Sequence, residues 1–527
     1  MDKTKLDKTK LDKTKNKGKK GIATFLFSRI FIFGLMIIIQ ILFFWAVAYN
    51  VVLDKSVSYV VTLLQVLSVV YIVSDKSDPT MKLIWVIFIV VVPGFGVLMY
   101  LYTKLQPGSI KLRKKIEHID LKSQRYLQPE QQIYNDLQIQ DKQVSMIAKY
   151  VYDYTGCPVY KNTDVTYFSC GEEKYTALIE ELENATDFIF MEYFIIQQGK
   201  VWDSVLNILE RKAKEGVEVR VMYDGLCSLT KLPVGYYKKL RQMGIKSKTF
   251  APARPFFTTE QNNRDHRKIL VIDGKVAFTG GINLADEYMN LVEKFGYWKD
   301  TAVMLKGDAV KSYTLLFLQM WNVTERTIGN FDRYLDIKIP KIYDDNGYII
   351  GYGDEPVGKE RVGESVYLHM INTANRYLHI VTPYLILDNV MMSALKFAAK
   401  RGVDVKIVMP GIPDKPYAYC IARTYYSELI EAGVEIYEYT PGFTHAKMFI
   451  SDDEKATVGT INLDYRSLYL HFENGCFIYK NNVIYDIEAD YENMLAVSKK
   501  VSLIECRNRP LWYKVCGKLL RLISPLM

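Results

Sequence analysis

Apolar positions divide the chain into two regimes. Residues 30–53, 57–73 and 83–102 are long apolar stretches, interrupted only by Gln40 and Asn50, by Gln65, and by the pair Pro93-Gly94. From about residue 145 short apolar runs alternate with amphipathic ones, the pattern of strands alternating with helices. Residues 188–191 (Phe-Ile-Phe-Met) read as a buried strand, 201–214 as a helix that stops at Gly216, and 217–222 as the next strand. The series then recurs, with a strand at 378–381, a helix at 390–400, a stop at Gly402 and a strand at 403–409. The octapeptide Ala-Lys-Glu-Gly-Val-Glu-Val-Arg at 213–220 is echoed by Ala-Lys-Arg-Gly-Val-Asp-Val-Lys at 399–406. Repetition of whole units predicts an α/β fold made of two duplicated halves.

The three apolar stretches predict N-terminal transmembrane helices within residues 22–104. At 1.5 Å per residue the first and third are long enough to cross a bilayer, and the second is marginal. Ahead of them, residues 1–21 repeat Asp-Lys-Thr-Lys-Leu and read as a disordered basic leader, either simply solvated or drawn to acidic headgroups. Lysines flank the apolar region on both sides, which calls for an even number of crossings, so one of the three stretches is expected to lie in the interface or to re-enter. The remaining boundaries expected are a linker at 105–144, a first half at 145–343, a polar, Gly-rich linker at 344–364, a second half at 365–505 and an amphipathic segment at 506–527. That last segment sets Trp512, Leu519, Leu520 and Ile523 beside Lys514, Lys518 and Arg521. An interfacial helix or a cap on the core would both fit.

Charge changes this picture little. The formal net charge is +9, but residues 1–20 hold nine Lys against three Asp, so the rest is close to balance and shows no sign of the basic groove that nucleic acid requires. The seven cysteines form no CxxC pair, which argues against structural zinc and for reduced, buried thiols.

One pattern carries chemistry. His266-Arg-Lys268 is followed by four apolar residues and Asp273, and His445-Ala-Lys447 by four residues and Asp452. Seven residues past each Asp stands a glycine, and three further an asparagine: Gly280 and Asn283, Gly459 and Asn462. On a strand His266 and Lys268 share a face, as do His445 and Lys447. Asp273 and Asp452 fall in turns, Asp273-Gly274 resembling a hairpin turn, so they read as structural or orienting members of the motif. Ammonium and amide groups aimed at one point can hold phosphate oxygens. One neutral imidazole can then attack phosphorus while the other, protonated, donates to the leaving oxygen, with no metal or cofactor required. Each ring needs an orienting carboxylate: Glu473 in the second half and Asp300 in the first are the expected residues. The other histidines, His118, His369, His379 and His471, read as ordinary core or surface residues.

HxKxxxxD followed by a Gly-Gly or Gly-Thr pair and Asn, twice, resembles the phospholipase D superfamily. Further segments resemble bacterial cardiolipin synthases of that type: 92–102, 263–273, 295–301, 444–447, 459–467, 509–512 and 522–527. The likeness runs from about residue 57 to the C-terminus, with the leader and the first apolar stretch as departures. It implies a multi-pass protein of the bacterial plasma membrane that converts two phosphatidylglycerol molecules into cardiolipin and glycerol through a phosphohistidine. In that scheme His266 is the nucleophile and His445 the acid and base, while Lys268, Lys447, Asn283 and Asn462 bind phosphate. The anionic lipid is the expected partner. Hydrolysis by water at the same site is the alternative.

Overall fold

The computed structural model describes residues 55–526 apart from 77, 93–94, 105–106, 227–230, 253–261, 340–346 and 359. The expected leader at 1–21 and the first apolar stretch at 30–53 lie outside the described residues. The chain divides into two compact units, residues 1–107 with 253–261 and residues 108–252 with 262–527.

In the first unit Lys55–Ser74, Pro79–Val91 and Phe95–Lys104 are helices. The Asp78 carboxylate caps the second by accepting from Thr80 N (2.8 Å) and Met81 N (3.1 Å), and Pro79 takes the first position, where its missing N–H is not needed. Ile72, Ile89, Val97 and Tyr100 make a small core, while Leu63, Leu67 and Val70 stay exposed. The stretch at 83–102 is two helices of 13 and 10 residues, separated around Pro93-Gly94. Among the described residues no helix is long and apolar enough to cross a membrane. The stretch at 57–73 is helical as expected, within Lys55–Ser74, whereas 83–102 is divided between two helices.

The second unit holds both halves. The first contributes β1 (Thr163–Phe168), β2 (Phe188–Tyr193), β3 (Glu218–Asp224), β4 (Lys246–Phe250), β5 (Arg264–Asp265), β6 (Lys268–Ile272), β7 (Val276–Gly280), β8 (Tyr297–Lys299) and β9 (Ala302–Gly307). The second contributes β10 (Tyr348–Asp354), β11 (Tyr377–Val381), β12 (Asp404–Pro410), β13 (Glu435–Tyr439), β14 (Gly442–Thr444), β15 (Met448–Ser451), β16 (Lys455–Gly459), β17 (His471–Tyr479) and β18 (Ser498–Lys500). The sheet orders are β1-β9-β7-β6-β2-β3-β4 and β10-β17-β16-β15-β11-β12-β13-β18, so the duplication read from sequence extends to every shared strand. Helices Lys200–Lys214 and Asn389–Lys400 occupy matching crossovers and end before Gly216 (φ +95°) and Gly402 (φ +99°), as their stop signals require.

The two sheets share one apolar layer. Ile269 and Val271 of β6, Ala277 of β7 and Val303 of β9 pack in a single core with Met448 and Ile450 of β15 and Ala456 and Val458 of β16. The alternate residues Leu270, Ile272 and Phe278 face the first half's own core, and Phe449 and Phe477 the second's. Strands covered on both faces account for the unbroken apolar runs after each motif lysine.

Two segments expected to be linkers are structured. Helices Pro107–Ser123 and Gln131–Gln140 fill most of 105–144; Leu137 is fully buried, and Gln319 Nε2 donates to the Ser123 hydroxyl at 2.8 Å. Within 344–364, residues 348–354 form the edge strand β10, paired along its length with β17. Its glycines reflect close packing: a Cβ at Gly353 would stand 2.6 Å from Leu316 Cδ2. The six described cysteines are all free.

The C-terminal helix Leu511–Ile523 has two faces. Gly517 lets it approach helix Pro416–Glu431, where a Cβ would lie 2.7 Å from Thr424 Cγ2, and Arg521 stacks 3.9 Å from the Tyr425 ring. On the other side Leu511, Trp512, Val515 and Leu519 are exposed.

The motif aspartates belong to the frame. Asp273 and Gly274 have φ of +53° and +64°, and Asp452 and Asp453 both +61°, the left-handed pair that a tight hairpin turn needs. The Asp273 carboxylate accepts from Thr186 N (2.8 Å), Thr186 Oγ1 (2.7 Å), Asp187 N (2.8 Å) and Phe188 N (2.8 Å), fastening the β6–β7 turn to the start of β2. Asp452 does the same for β11, accepting from Asn375 N and Arg376 N (both 2.8 Å) and Tyr377 N (3.1 Å). Seven residues of extended chain put each about 20 Å from its histidine, which corrects their grouping with the catalytic residues. Asp273→Ala should therefore cost about 3 kcal/mol in denaturant-unfolding stability, because four donors lose a charged acceptor. A loss below about 0.5 kcal/mol, the size of an ordinary surface change, would contradict this anchoring role.

Candidate active site

The site is assembled by strand exchange between the halves. β5, just ahead of His266, pairs in parallel with the start of β17, setting Arg264 opposite His471 and Asp265 opposite Phe472. β14, just ahead of His445, pairs in parallel with β8, setting Phe443 opposite Trp298 and Thr444 opposite Lys299. The backbone N–H of His266 then donates to Phe472 O (2.9 Å), and that of His445 to Lys299 O (2.6 Å). The next residue on each partner strand is an acid: Glu473 after Phe472 and Asp300 after Lys299.

Each imidazole is therefore oriented by the opposite half. His266 Nδ1 lies 2.9 Å from both Glu473 oxygens, and His445 Nδ1 lies 2.7 Å from Asp300 Oδ2. The expected carboxylates are the right residues, but the pairing within each half is corrected to a pairing across them. Asp300 and Glu473 are structural equivalents although they stand 34 and 28 residues after their own half's histidine; the first half carries six more residues between Asn283 and the acid than the second does after Asn462. That insertion is why counting 28 residues on from His266 lands on Lys294, which instead pairs with Glu287 at 3.2 Å.

Small side chains make room for the acids. A Cβ on Gly281 would meet Asp300 Oδ1 at 2.0 Å, so only glycine admits that carboxylate. At the matching position Thr460 donates its hydroxyl to Glu473 Oε2 (2.5 Å). A bond from Asn474 Nδ2 to Thr279 Oγ1 (2.6 Å) adds a further tie across the halves.

Lys268 and Lys447 are buried and donate to the carbonyls of His266 (2.5 Å) and His445. Burial lowers Lys268 to about 8 and Lys447 to about 7. It also holds both imidazoles well below their usual value, helped by the charges of Lys268, Lys447 and Lys415, all of which reach both rings. Burial raises Asp300 to about 6, so ring and acid alike are pushed toward their neutral forms.

The asparagines differ. Asn283 is fully buried; its Oδ1 accepts from Ile195 N (2.9 Å) and its Nδ2 donates to the Tyr288 hydroxyl (2.8 Å), so it braces the loop. Asn462 Oδ1 is buried without a partner. His471, expected to be ordinary, packs its ring 5.5 Å from that of His266 and 3.7 Å from Glu473. The donor atoms of His266, His471 and Glu473 lie within 4.8 Å of one another, a ligand-like set, but Glu473 is already hydrogen-bonded to His266 and Thr460. Thr460, Lys415 and His471 were missed as site residues. Thr460 was visible as the variant second position of the Gly-Gly pair, whereas Lys415 and His471 stand outside both motifs.

Two copies of one α/β unit sharing a buried His-Lys site define a protein of the phospholipase D class. The family model described as "Cardiolipin synthase, PLD-like domain" matches residues 178–321 and 367–495, and "Phospholipase_D-nuclease N-terminal" matches 63–103. The chain belongs to the cardiolipin synthase family of phospholipase D-like proteins. It is 34% identical over 475 residues to a cardiolipin synthase of Halalkalibacterium halodurans, covering 89% of this chain and 93% of that protein. It is 39% identical over 372 residues to one of Geobacillus sp., covering 70% and 74%. An uncharacterized protein of Streptococcus mutans is 49% identical over 460 residues, covering 87% and 99%. The crystal structure of a phosphatidylserine synthase from Haemophilus influenzae shares the fold at a TM-score of 0.53 and 16% identity, covering 72% of this chain and 99% of that one.

Gly281→Ala is expected to lower turnover about 100-fold by driving Asp300 off His445, with the His266–Glu473 pair left intact. Steady-state rates and a structure of the variant check this. Full activity with an alanine at 281 would mean that Asp300 does not orient His445.

Proposed function

We propose that the protein is a membrane-associated phosphatidyltransferase that joins two phosphatidylglycerol molecules into cardiolipin and releases glycerol. The observation that carries this reading is the crossed pair, His266 with Glu473 and His445 with Asp300, set among buried lysines. With Nδ1 of each ring occupied, Nε2 is left to do the chemistry. The relatives named cardiolipin synthase supply the substrate class.

His266 is the nucleophile. Burial and neighbouring ammonium groups keep its ring neutral, so the Nε2 lone pair is available, and Glu473 steadies the cation formed on attack. The bond from Nε2 to phosphorus forms as the bond from phosphorus to the glycerol oxygen breaks, and His445 gives that oxygen its proton. The substrate's own anionic phosphate, lying between the two lysines, restores the negative charge that lets His445 carry a proton. In the second step a primary hydroxyl of the next phosphatidylglycerol attacks phosphorus, His445 takes its proton, and the bond to His266 breaks. Asn462 and the two motif lysines hold the phosphate, and Asn283 positions the loop beside them.

Membrane association rests on the exposed apolar face of helix Leu511–Ile523, which carries Lys514, Lys518 and Arg521 and no acidic residue. A multi-pass arrangement in the bacterial plasma membrane is proposed from the resemblance and from the apolar N-terminal stretches.

Purified protein given phosphatidylglycerol vesicles should yield cardiolipin and glycerol. His266→Ala and His445→Ala should each abolish this, and phosphatidic acid as the sole product would make the protein a hydrolase. A pH series gives a second check. Lys447 and Lys268 are charged below about 7 and 8 and lose that charge as pH rises through those values, so kcat/KM should decline above about pH 8. A profile flat to pH 10 would exclude these lysines as the phosphate-binding cations.

A further inference from the structure

Joining two phospholipids requires places for two phosphates, and the paired motifs account for one. Beside them, in the second half, lies a polar cluster with no role so far. The loop at 411–415 leaves the end of β12 and is tied down by Ile412 N donating to Gly442 O (3.2 Å), three residues before His445. Tyr384 follows β11, and two residues on Ile386 N donates to Leu463 O (2.8 Å), next to Asn462. Backbone bonds thus fix both segments to the strand and the loop that carry His445 and Asn462.

The side chains form a chain of contacts. Lys415 Nζ donates to the Tyr384 hydroxyl (2.6 Å), and that hydroxyl donates to Asp414 Oδ2 (2.7 Å). The ammonium also stands 3.5 Å from Asp414 and 4.5 Å over the Tyr384 ring. Two buried oxygens here have no partner, Asp414 Oδ1 and Asn462 Oδ1. A buried acceptor without a donor is costly, and a phosphate, itself only an acceptor, would not relieve Asp414. A hydroxyl would. Lys415, half-exposed and able to donate more than one hydrogen bond, is the complementary group for an anion.

Among the described residues, which do not include 227–230, the first half shows no such arrangement. At the matching end of β3, Asp224 is fully buried and committed to Arg264 (3.3 Å) and to the N–H groups of Leu226 (2.7 Å) and Asp265 (3.1 Å). The asymmetry suits a reaction whose two lipids play different parts.

We propose that Asp414, Lys415 and Tyr384 form the headgroup pocket of the accepting phospholipid, with Lys415 pairing with its phosphate and Asp414 accepting a hydrogen bond from the glycerol hydroxyl that does not react. The proposal rests on the transfer reaction inferred above and adds which residues choose the acceptor. The reach of the Lys415 charge to both imidazoles agrees with this position.

The full-length protein in phosphatidylglycerol vesicles provides the test, with the two half-reactions followed separately. Trapped phosphatidyl-enzyme and the first burst of glycerol report the donor step; cardiolipin against phosphatidic acid reports the acceptor step. Lys415→Ala and Asp414→Asn should raise the phosphatidylglycerol concentration needed for cardiolipin formation about tenfold and shift product toward phosphatidic acid, and with Asp414→Asn the burst should change less than about twofold. Lys415→Arg should restore much of the loss. Equal loss in both half-reactions, or unchanged cardiolipin formation, overturns the pocket while leaving the transferase reading in place. A wild-type protein that forms the phosphatidyl-enzyme but only phosphatidic acid overturns both.

Discussion

Each half ends the approach to its motif by pairing a short strand with the other half, β5 with β17 and β14 with β8. Parallel register then places the acid one residue beyond the paired segment of the partner strand beside the histidine that follows its own. An imidazole serves as nucleophile or acid only if its tautomer and direction are fixed, and here both are fixed from across the interface. The shared apolar layer between the sheets, and the turns fastened by Asp273 and Asp452, keep that register.

Burial supplies the reactivity. The Asp300 carboxyl, two imidazoles and two lysines in one dehydrated place are each displaced toward neutrality. A phosphodiester brings the missing negative charge, so ligand binding and activation of the acid are one electrostatic event. The cleft is also unequal. Asn283 is consumed by its loop, whereas Asn462 and Asp414 keep unpaired oxygens, so the second half has binding capacity left after the frame is satisfied.

Much of this was legible in the chain. Short apolar runs and the 3.6 periodicity located β2, β3, β11, β12 and their helices to within a residue or two, because the strands are largely buried and each helix buries one face. The repeated motif identified the histidines, lysines and asparagines. What sequence spacing misassigned was partnership: Glu473 and Asp300 were found, but long-range strand pairing, not distance along the chain, decides which ring each one meets. Gly351 and Gly353 resembled a linker because close packing and flexibility use the same residue. Lys415 and His471 carried no signal because their meaning comes from what the fold sets beside them.

The crossed strands also govern when activity first appears during synthesis. A nascent chain that has emerged only as far as the end of the first half carries His266 and Lys268, yet the acid that orients that ring, Glu473, lies 207 residues after His266 and well inside the second half. Nor can the second half alone align His445, whose acid lies upstream in the first. Neither catalytic ring is oriented, therefore, until both halves of the chain have been made and have paired with each other.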